Sequence, residues 1–155
     1  MMKKTSCLTA CTLALLFSAG AQAQMSVEDQ IETRQAAYQF AAWNMGKIKA
    51  QVVDKSVAYN QDQILAAANA IAAVANSGLS ALYGPGTSLD KADNTRLKPE
   101  FFEEPDKVRE IAIRFVQEAN KLQEVAAAGD QAALAQQFQA VGESCKACHD
   151  RYRAK

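Results

Sequence analysis

The residues with the clearest chemical potential lie at the end of the chain, where Cys145 and Cys148 are separated by two residues and followed directly by His149. Cys-x-x-Cys-His is the spacing at which a c-type haem is attached, with the two thiols forming thioethers to the haem vinyl groups. The adjacent imidazole then supplies the proximal ligand of the iron. His149 is the only histidine of the 155 residues, so no second imidazole can complete the coordination. The motif predicts one covalently attached haem c with His149 as axial iron ligand.

Three other interpretations compete with haem attachment. A thioredoxin-like redox pair is expected near a strand–helix–strand unit, whereas this sequence shows helical periodicity. A structural zinc site needs four ligands, and Asp150, the only nearby addition to Cys145, Cys148 and His149, converges poorly with them because it is adjacent on one helix. The third interpretation is a chance motif in a structural bundle. An export signal and the position of both cysteines on an apolar helix face favour haem over these alternatives.

The start of the chain is typical of a secretory signal peptide. Two lysines precede an apolar run over residues 8–17, and Ala-Gln-Ala follows as a small-residue cleavage site. The run is too short to span a membrane. We expect residues 1–23 to be removed together with Cys7 and Cys11. Residues 24–155 would then be periplasmic, since bacteria attach haem covalently outside the cytoplasm.

Charge and composition exclude several classes of function. Loss of the signal peptide removes two lysines and no acidic residue, which leaves 15 basic and 17 acidic residues and a net charge of −2. A slightly negative net charge does not indicate nucleic-acid binding, which is typical of basic domains. No membrane insertion is expected after the signal peptide is removed. No nucleophile–base pair or carboxylate dyad stands out, and one histidine leaves no second imidazole for distal acid–base chemistry. We expect a single-domain protein that is not an enzyme.

Helical periodicity occurs four times in the chain. The segments cover residues 27–53, 61–82 and 104–128 and a fourth segment that begins at Asp130. Short connections join them, except for the long link over residues 83–103. The pattern predicts an all-α fold, an antiparallel up-down four-helix bundle with a long loop between helices 2 and 3. Long loops in compact domains are usually functional or covering, so this loop is expected to pack over one end of the bundle.

The apolar stripes predict which side chains face the bundle interior. In the first helix these are Ile31, Tyr38, Ala42, Met45, Ile48 and Val52. In the third helix they are Val108, Ile111, Ala112, Phe115, Ala119, Leu122 and Val125. In the fourth helix they are Leu134, Phe138, Val141, Cys145, Cys148 and Tyr152. A haem attached to this last face would lie in the bundle interior.

Several short blocks accompany the haem motif in a recognisable order. They are Arg34-Gln35, Tyr59, Gly84-Pro85-Gly86-Thr87, Pro99-Glu100 and Val141-Gly142-x-Ser144-Cys145-Lys146-Ala147-Cys148-His149-Asp150-x-Tyr152-Arg153. With them, residues 24–155 resemble cytochrome c′, a class II c-type cytochrome. The resemblance implies a five-coordinate, high-spin iron that binds small uncharged gases, above all nitric oxide and carbon monoxide. It also implies electron transfer with periplasmic redox partner proteins and a homodimer through the first two helices.

Tyr38 occupies the position that faces the open side of the iron in the family pattern. Low-spin relatives of the cytochrome c-556 type place a methionine ligand there, and such a chain would carry electrons without binding gases. Three roles are open to Tyr38: a steric plug of the distal pocket, a phenolate ligand assisted by Arg34, or an ordinary core aromatic. We favour the plug. Met45, two turns further on the same face, is expected to fill the core rather than to bind iron.

Polar residues near these positions are candidates for contacts with the haem edge. The resemblance assigns Arg34 and Gln35 to the haem propionates, whereas the alternative is an arginine that extends into solvent. Thr87 and Asp90 in the long loop are further candidates for a propionate contact. Arg153, four residues after the histidine, either lies beside the imidazole and tunes the iron or belongs to a solvated basic tail.

Overall fold

The computed structural model describes residues 25–155, and the predicted signal peptide with Cys7 and Cys11 lies outside the described residues. The helices are α1 (Val27–Ile48), α2 (Gln61–Ala75), α3 (Glu100–Glu103), α4 (Pro105–Ala128) and α5 (Gln131–Tyr152). A π-helical turn (Lys49–Val53) continues α1, and a 3-10 turn (Leu79–Leu82) follows α2. The four long helices form the predicted all-α bundle. Within the described residues, no helix has the length and apolarity needed to cross a membrane.

Local sequence signals explain where the long helices begin and end. The Asn60 side chain caps α2 by accepting from the Gln63 amide at 2.9 Å, and Asp130 caps α5 in the same manner. Pro105 occupies the first turn of α4, where its missing N–H costs nothing. Gly129 ends α4 in the left-handed conformation, with φ of 75°, which glycine adopts without a steric penalty.

The second helix is shorter than its apolar pattern predicted. It ends at Ala75 rather than near residue 82, because Asn76 turns its side-chain amide back onto the Ala72 carbonyl at 2.7 Å. Gly78 then takes a left-handed φ of 77°, and the chain continues as the 3-10 turn. The predicted extension of this helix to Leu82 was therefore wrong, although the turn keeps the chain beside α1.

One end of the bundle is filled by aliphatic side chains, and we call it the packed end. It combines the last part of α1 and the π-helical turn with the first part of α2, the last part of α4 and the first part of α5. Its buried residues are Ile48, Val52, Ile64, Ala67, Ala68, Ile71, Ala119, Leu122, Ala126, Leu134 and Val141. Alanines at these positions let the helix backbones approach closely, and the aliphatic residues fill the remaining space.

The buried face of α1 is rotated from the predicted one. Arg34, Ala41 and Ile48, spaced seven apart, lie on it, while Tyr38 and Met45 are half-buried at its edge. Ala42 is exposed, as is Ala112 in α4, so these two predicted interior positions were wrong. Apolar character alone did not reveal this face because Arg34, a charged residue, lies on it.

The long loop packs over the other end of the bundle, as predicted. Leu97 forms an isolated antiparallel bridge with Arg153. On either side of this bridge, the Lys98 amide donates to the Tyr152 carbonyl and the Ala154 amide donates to the Arg96 carbonyl, both at 2.9 Å. The loop thereby fixes the end of α5, which carries the haem motif.

Candidate haem-binding site

The two cysteines lie on the last turns of α5, and both are free thiols and half-buried. Burial raises the pKa of both thiols, so they are protonated at neutral pH. They lie toward the end of the bundle opposite the packed end, which we call the cysteine end, and Cys145 also contacts the aliphatic cluster. The cysteine end comprises the first part of α1, the 3-10 turn, α3, the start of α4 and the last turns of α5.

His149 follows the second cysteine and is exposed at the surface of α5. Desolvation lowers its pKa, and the positive charges of Arg153 and Arg96 lower it further. The neutral imidazole that results is the form that binds a metal. Among residues 25–155, no three or more histidine, cysteine, aspartate or glutamate side chains come together as ligands for a bare metal ion.

Aromatic side chains surround the cysteine end. The Tyr38 and Phe115 ring centroids are 6.4 Å apart, and Tyr83 stacks on Phe101 at 4.6 Å. Phe101 also meets the Tyr152 ring edge-on at 5.5 Å. All of these rings except Tyr152 are only half-buried. These rings form an aromatic lining at the end of the bundle at which α5 carries the two thiols.

The helix arrangement places this lining beside one face of α5. α1 packs along α2, α2 along α4, and α4 along α5. The bundle closes between its first and last helices mainly through the π-helical turn, which approaches α5 at the packed end. At the cysteine end, the faces of α1 and α5 are lined by half-buried Tyr38, Cys145 and Cys148. Two thiols, an adjacent imidazole and a half-buried aromatic lining fit a covalently bound planar haem.

Tyr38 shares its surroundings with both cysteines. Its oxygen accepts a hydrogen bond of 3.4 Å from the Tyr83 hydroxyl. Burial raises the pKa of the Tyr38 phenol, and the hydrogen bond from Tyr83 is the largest opposing influence. A half-buried, neutral phenol fits the steric plug, and the choice among the three roles of Tyr38 stays a prediction.

Arg34 is only 4% exposed, which contradicts the alternative of an arginine extended into solvent. Its guanidinium donates to the Leu82 carbonyl at 3.0 Å, to the Thr87 carbonyl at 2.8 Å and to Thr95 Oγ1 at 2.9 Å. It also lies 4.7 Å from the centre of the Tyr83 ring. Arg34 therefore anchors the long loop to α1, a role that the sequence did not predict. Its contact with a propionate stays a prediction.

The other predicted propionate ligands make hydrogen bonds with the loop. Gln35 is exposed and donates to the Asn94 carbonyl at 2.8 Å. Thr87 is buried and donates to the Gly84 carbonyl at 2.9 Å. Asp90 accepts from Ser88 at 2.6 Å, and this bond lowers the pKa of its carboxyl. Their role toward haem stays a prediction.

Arg153 is exposed and contributes its backbone to the bridge with Leu97. Its positive charge is one of the causes that lower the pKa of His149. This influence favours a position beside the imidazole over a purely solvated tail.

Sequence reasoning missed a carboxylate that joins α4 to α5. Glu104 accepts two hydrogen bonds from Arg151, at 2.6 and 2.7 Å, and one from the Tyr152 hydroxyl at 2.6 Å. These bonds lower the pKa of Glu104 to about 2. The only sequence signal was an acidic residue before Pro105 at a helix start, which does not reveal partners 47 and 48 residues away.

A family model described as Cytochrome C′ matches residues 29–153. This chain belongs to the cytochrome c′ family. The curated cytochrome c′ of Allochromatium vinosum is 54% identical over 141 residues, which cover 90% of each chain. Cytochromes c′ carry haem c, so the family agrees with the chemistry of the C-terminal motif.

Solved cytochromes c′ share this fold. One, described as having an unusual ligand-controlled dimer dissociation, is 55% identical with a TM-score of 0.77 and covers 84% of this chain and 98% of its own. The cytochrome c′ of Alcaligenes xylosoxidans has been solved as a variant with carbon monoxide bound, at 31% identity and a TM-score of 0.74, covering 84% and 98% of the two chains. A ferrous variant of it holds nitric oxide, at 30% identity and a TM-score of 0.74, covering 84% and 97%.

Proposed function

We propose that this protein is a periplasmic cytochrome c′ that binds nitric oxide or carbon monoxide. Cys145 and Cys148 would hold one haem c through thioethers, and His149 would be the proximal ligand of its iron. The haem would supply an iron that can bind a diatomic gas. The observation that carries the proposal is the pair of half-buried free thiols directly before His149 on the last turns of α5.

The residues around the proposed gas site act mainly by excluding other molecules. Tyr38 and Phe115 narrow the space from α1 and α4, and half-buried aromatic rings favour small uncharged ligands over hydrated ions. The Tyr38 phenol is half-buried and its pKa is raised by burial, which supports a steric role beside the gas. Tyr38 therefore gates access to the iron.

Electron transfer with periplasmic redox partner proteins is the second candidate function. A low-spin carrier of the c-556 type needs a second ligand such as methionine. Met25, before α1, is 44% exposed. Met45 is half-buried and packs against the aliphatic cluster of the packed end. This packing favours the core-filling role of Met45, so electron transfer would proceed through an iron whose distal position is open.

We also propose that the protein forms a homodimer. Phe40 and Trp43 are 48% and 59% exposed on α1, with ring centroids 5.8 Å apart. The Lys47 ammonium lies 3.8 Å from the Trp43 ring centre. An exposed aromatic pair on one helix is typical of an interface, and a similar solved cytochrome c′ is described as a dimer that dissociates under ligand control. We expect α1 and α2 to form the interface, and we expect no enzymatic turnover.

Expression with its signal peptide in a host that matures c-type cytochromes tests the function. The expected product retains its haem after denaturation, which shows covalent attachment. Its visible spectrum is expected to be high-spin in both redox states and to change when nitric oxide is added. A sharp low-spin reduced spectrum that nitric oxide leaves unchanged would instead support an electron carrier. A product without covalent haem would support the remaining interpretation, a structural helix bundle with a chance motif. A Cys145→Ser, Cys148→Ser double variant is the control for covalent attachment.

A further inference from the structure

Tyr83 connects the long loop to the proposed gate. It follows the 3-10 turn and is half-buried. Its ring stacks on Phe101 at 4.6 Å, and the Arg34 guanidinium lies 4.7 Å from the ring centre. Its hydroxyl reaches the Tyr38 oxygen at 3.4 Å. The sequence pattern predicts no role for Tyr83, although its hydroxyl forms a side-chain hydrogen bond with Tyr38.

The Tyr83 ring is held by groups that are themselves fixed. Arg34 is buried and donates three hydrogen bonds to the loop that carries Tyr83. Phe101, on α3, also contacts the Tyr152 ring at the end of α5. The Tyr83 ring is therefore held in place by Arg34 of α1 and, through Phe101, by Tyr152 of α5. Such preorganisation lowers the entropic cost of orienting a second group.

The hydrogen bond determines what the Tyr38 hydroxyl can still do. A phenol has one O–H donor and two acceptor lone pairs. Because Tyr83 donates, one lone pair of Tyr38 is occupied and its own proton is left for another acceptor. Burial raises the pKa of both phenols, so both keep their protons at neutral pH. The Tyr83 proton therefore lies between the two phenol oxygens, and the Tyr38 hydroxyl can donate a second hydrogen bond to another acceptor.

We propose that Tyr83 is a positioning residue for ligand recognition: its hydroxyl orients that of Tyr38, which then donates a hydrogen bond to a gas bound at the iron. The inference rests on the proposed gas-binding function and adds a polar element to a gate that is otherwise steric. The ligand class it favours is a diatomic molecule whose outer atom can accept a hydrogen bond. Tyr83 itself acts only through Tyr38.

Infrared spectroscopy of the reduced, carbon monoxide-bound holoprotein tests this inference. Four proteins are compared: wild type, Tyr83→Phe, Tyr38→Phe and the double variant. Tyr38→Phe is expected to raise the C–O stretching frequency, because a donor to the ligand is lost. Tyr83→Phe keeps the ring and is expected to shift or broaden the band in the same direction by less. Carbon monoxide dissociation should rise roughly two- to fivefold in Tyr83→Phe, as for one weak hydrogen bond.

The double variant separates positioning from a merely structural role. If Tyr83 acts through Tyr38, the double variant matches Tyr38→Phe in both band and rate. An equal change in both backgrounds, or a wild-type band in Tyr83→Phe, overturns the inference. Tyr59→Phe is the matched control, since the Tyr59 hydroxyl bonds to Gln61 beside the packed end, and it should leave the band unchanged. A wild-type holoprotein without a carbon monoxide band overturns the gas-binding proposal itself, a result distinct from failure at Tyr83.

Discussion

The two ends of the bundle are built from the same four long helices, but different side chains fill them. At the packed end, aliphatic residues such as Ile48, Ile64 and Leu122 are fully buried. At the cysteine end, half-buried Tyr38 and Tyr83 are joined by a hydrogen bond, and Tyr83 stacks on Phe101. Close aliphatic packing stabilises the fold, whereas the half-buried rings and thiols of the cysteine end are the groups proposed to hold haem. The bundle thus separates stability from function along its length.

The comparison implies that substitutions at the two ends differ in kind as well as in size. A truncation at the packed end should lower the free energy of unfolding and leave the iron chemistry intact. A truncation at the cysteine end should change the spectrum or the ligand kinetics and leave most of the stability intact. A variant that changes both to a similar degree would show that the ends are coupled.

Loss of the proximal ligand is the largest expected change. His149→Ala should keep both thioethers but remove the nitrogen bond to the iron, because attachment depends on the cysteines and not on the imidazole. The visible spectrum in both redox states checks this outcome. Glu143→Ala, an exposed position on the same helix, is the control. A wild-type spectrum for His149→Ala would disprove the proximal assignment.

Truncation of a side chain at the packed end should give the second-largest change, a loss of stability. Leu122→Ala removes a fully buried side chain from α4 and should cost about 2–5 kcal/mol of unfolding free energy. Denaturant unfolding of the holoprotein measures this loss. The spectrum and the carbon monoxide kinetics should stay at wild-type values. A loss below about 0.5 kcal/mol, the range of ordinary surface substitutions, would contradict the division between the two ends.

Opening the gate should change kinetics more than stability. Tyr38→Ala removes a half-buried ring from the distal side and should speed carbon monoxide association by roughly tenfold, which equals about 1.4 kcal/mol of barrier. Flash photolysis or stopped flow measures the rate. Gln39→Ala, at an exposed position of α1 outside the proposed aromatic interface, is the comparison for a general effect of truncating this helix. An unchanged rate in Tyr38→Ala would show that Tyr38 is not the gate.

The Glu104 carboxylate should give the smallest effect, and one that depends on pH. Its pKa is lowered from the usual 4.5 to about 2 in the folded protein, so its stabilising contribution is present above pH 4.5 and is lost as the pH falls toward 2. Glu104→Gln should lower the unfolding midpoint at pH 7 and flatten the acid dependence between these values. The neighbouring exposed Glu103→Gln is the control. Identical acid profiles for wild type and Glu104→Gln would exclude this contribution.

Much of this molecule could be predicted because its signals are local. Asp130 and Gly129 mark helix ends through their own side chain or backbone freedom, and the spacing of Cys145, Cys148 and His149 is a covalent requirement. Periodicity was enough for the four-helix fold. It was less reliable for the orientation of α1, where a buried arginine interrupts the apolar stripe.

The remaining features depend on contacts between residues distant in the sequence. Arg34 can be buried because carbonyl oxygens 48 and 53 residues away accept hydrogen bonds from its guanidinium. Tyr83 could not be placed beside Tyr38 because the second helix ends early and the chain turns. Glu104 and Arg151 likewise meet only in the folded bundle. Such pairs show no periodicity, so a single sequence carries no signal for them.

The most direct test of the central claim is the visible spectrum of the reduced holoprotein with and without carbon monoxide. The claim is that the cysteine end holds a haem whose iron is bound by His149 on one side and is accessible beside Tyr38 on the other. The expected result is a high-spin reduced spectrum that converts to a low-spin carbon monoxide complex. A sharp low-spin reduced spectrum that carbon monoxide leaves unchanged would contradict the claim.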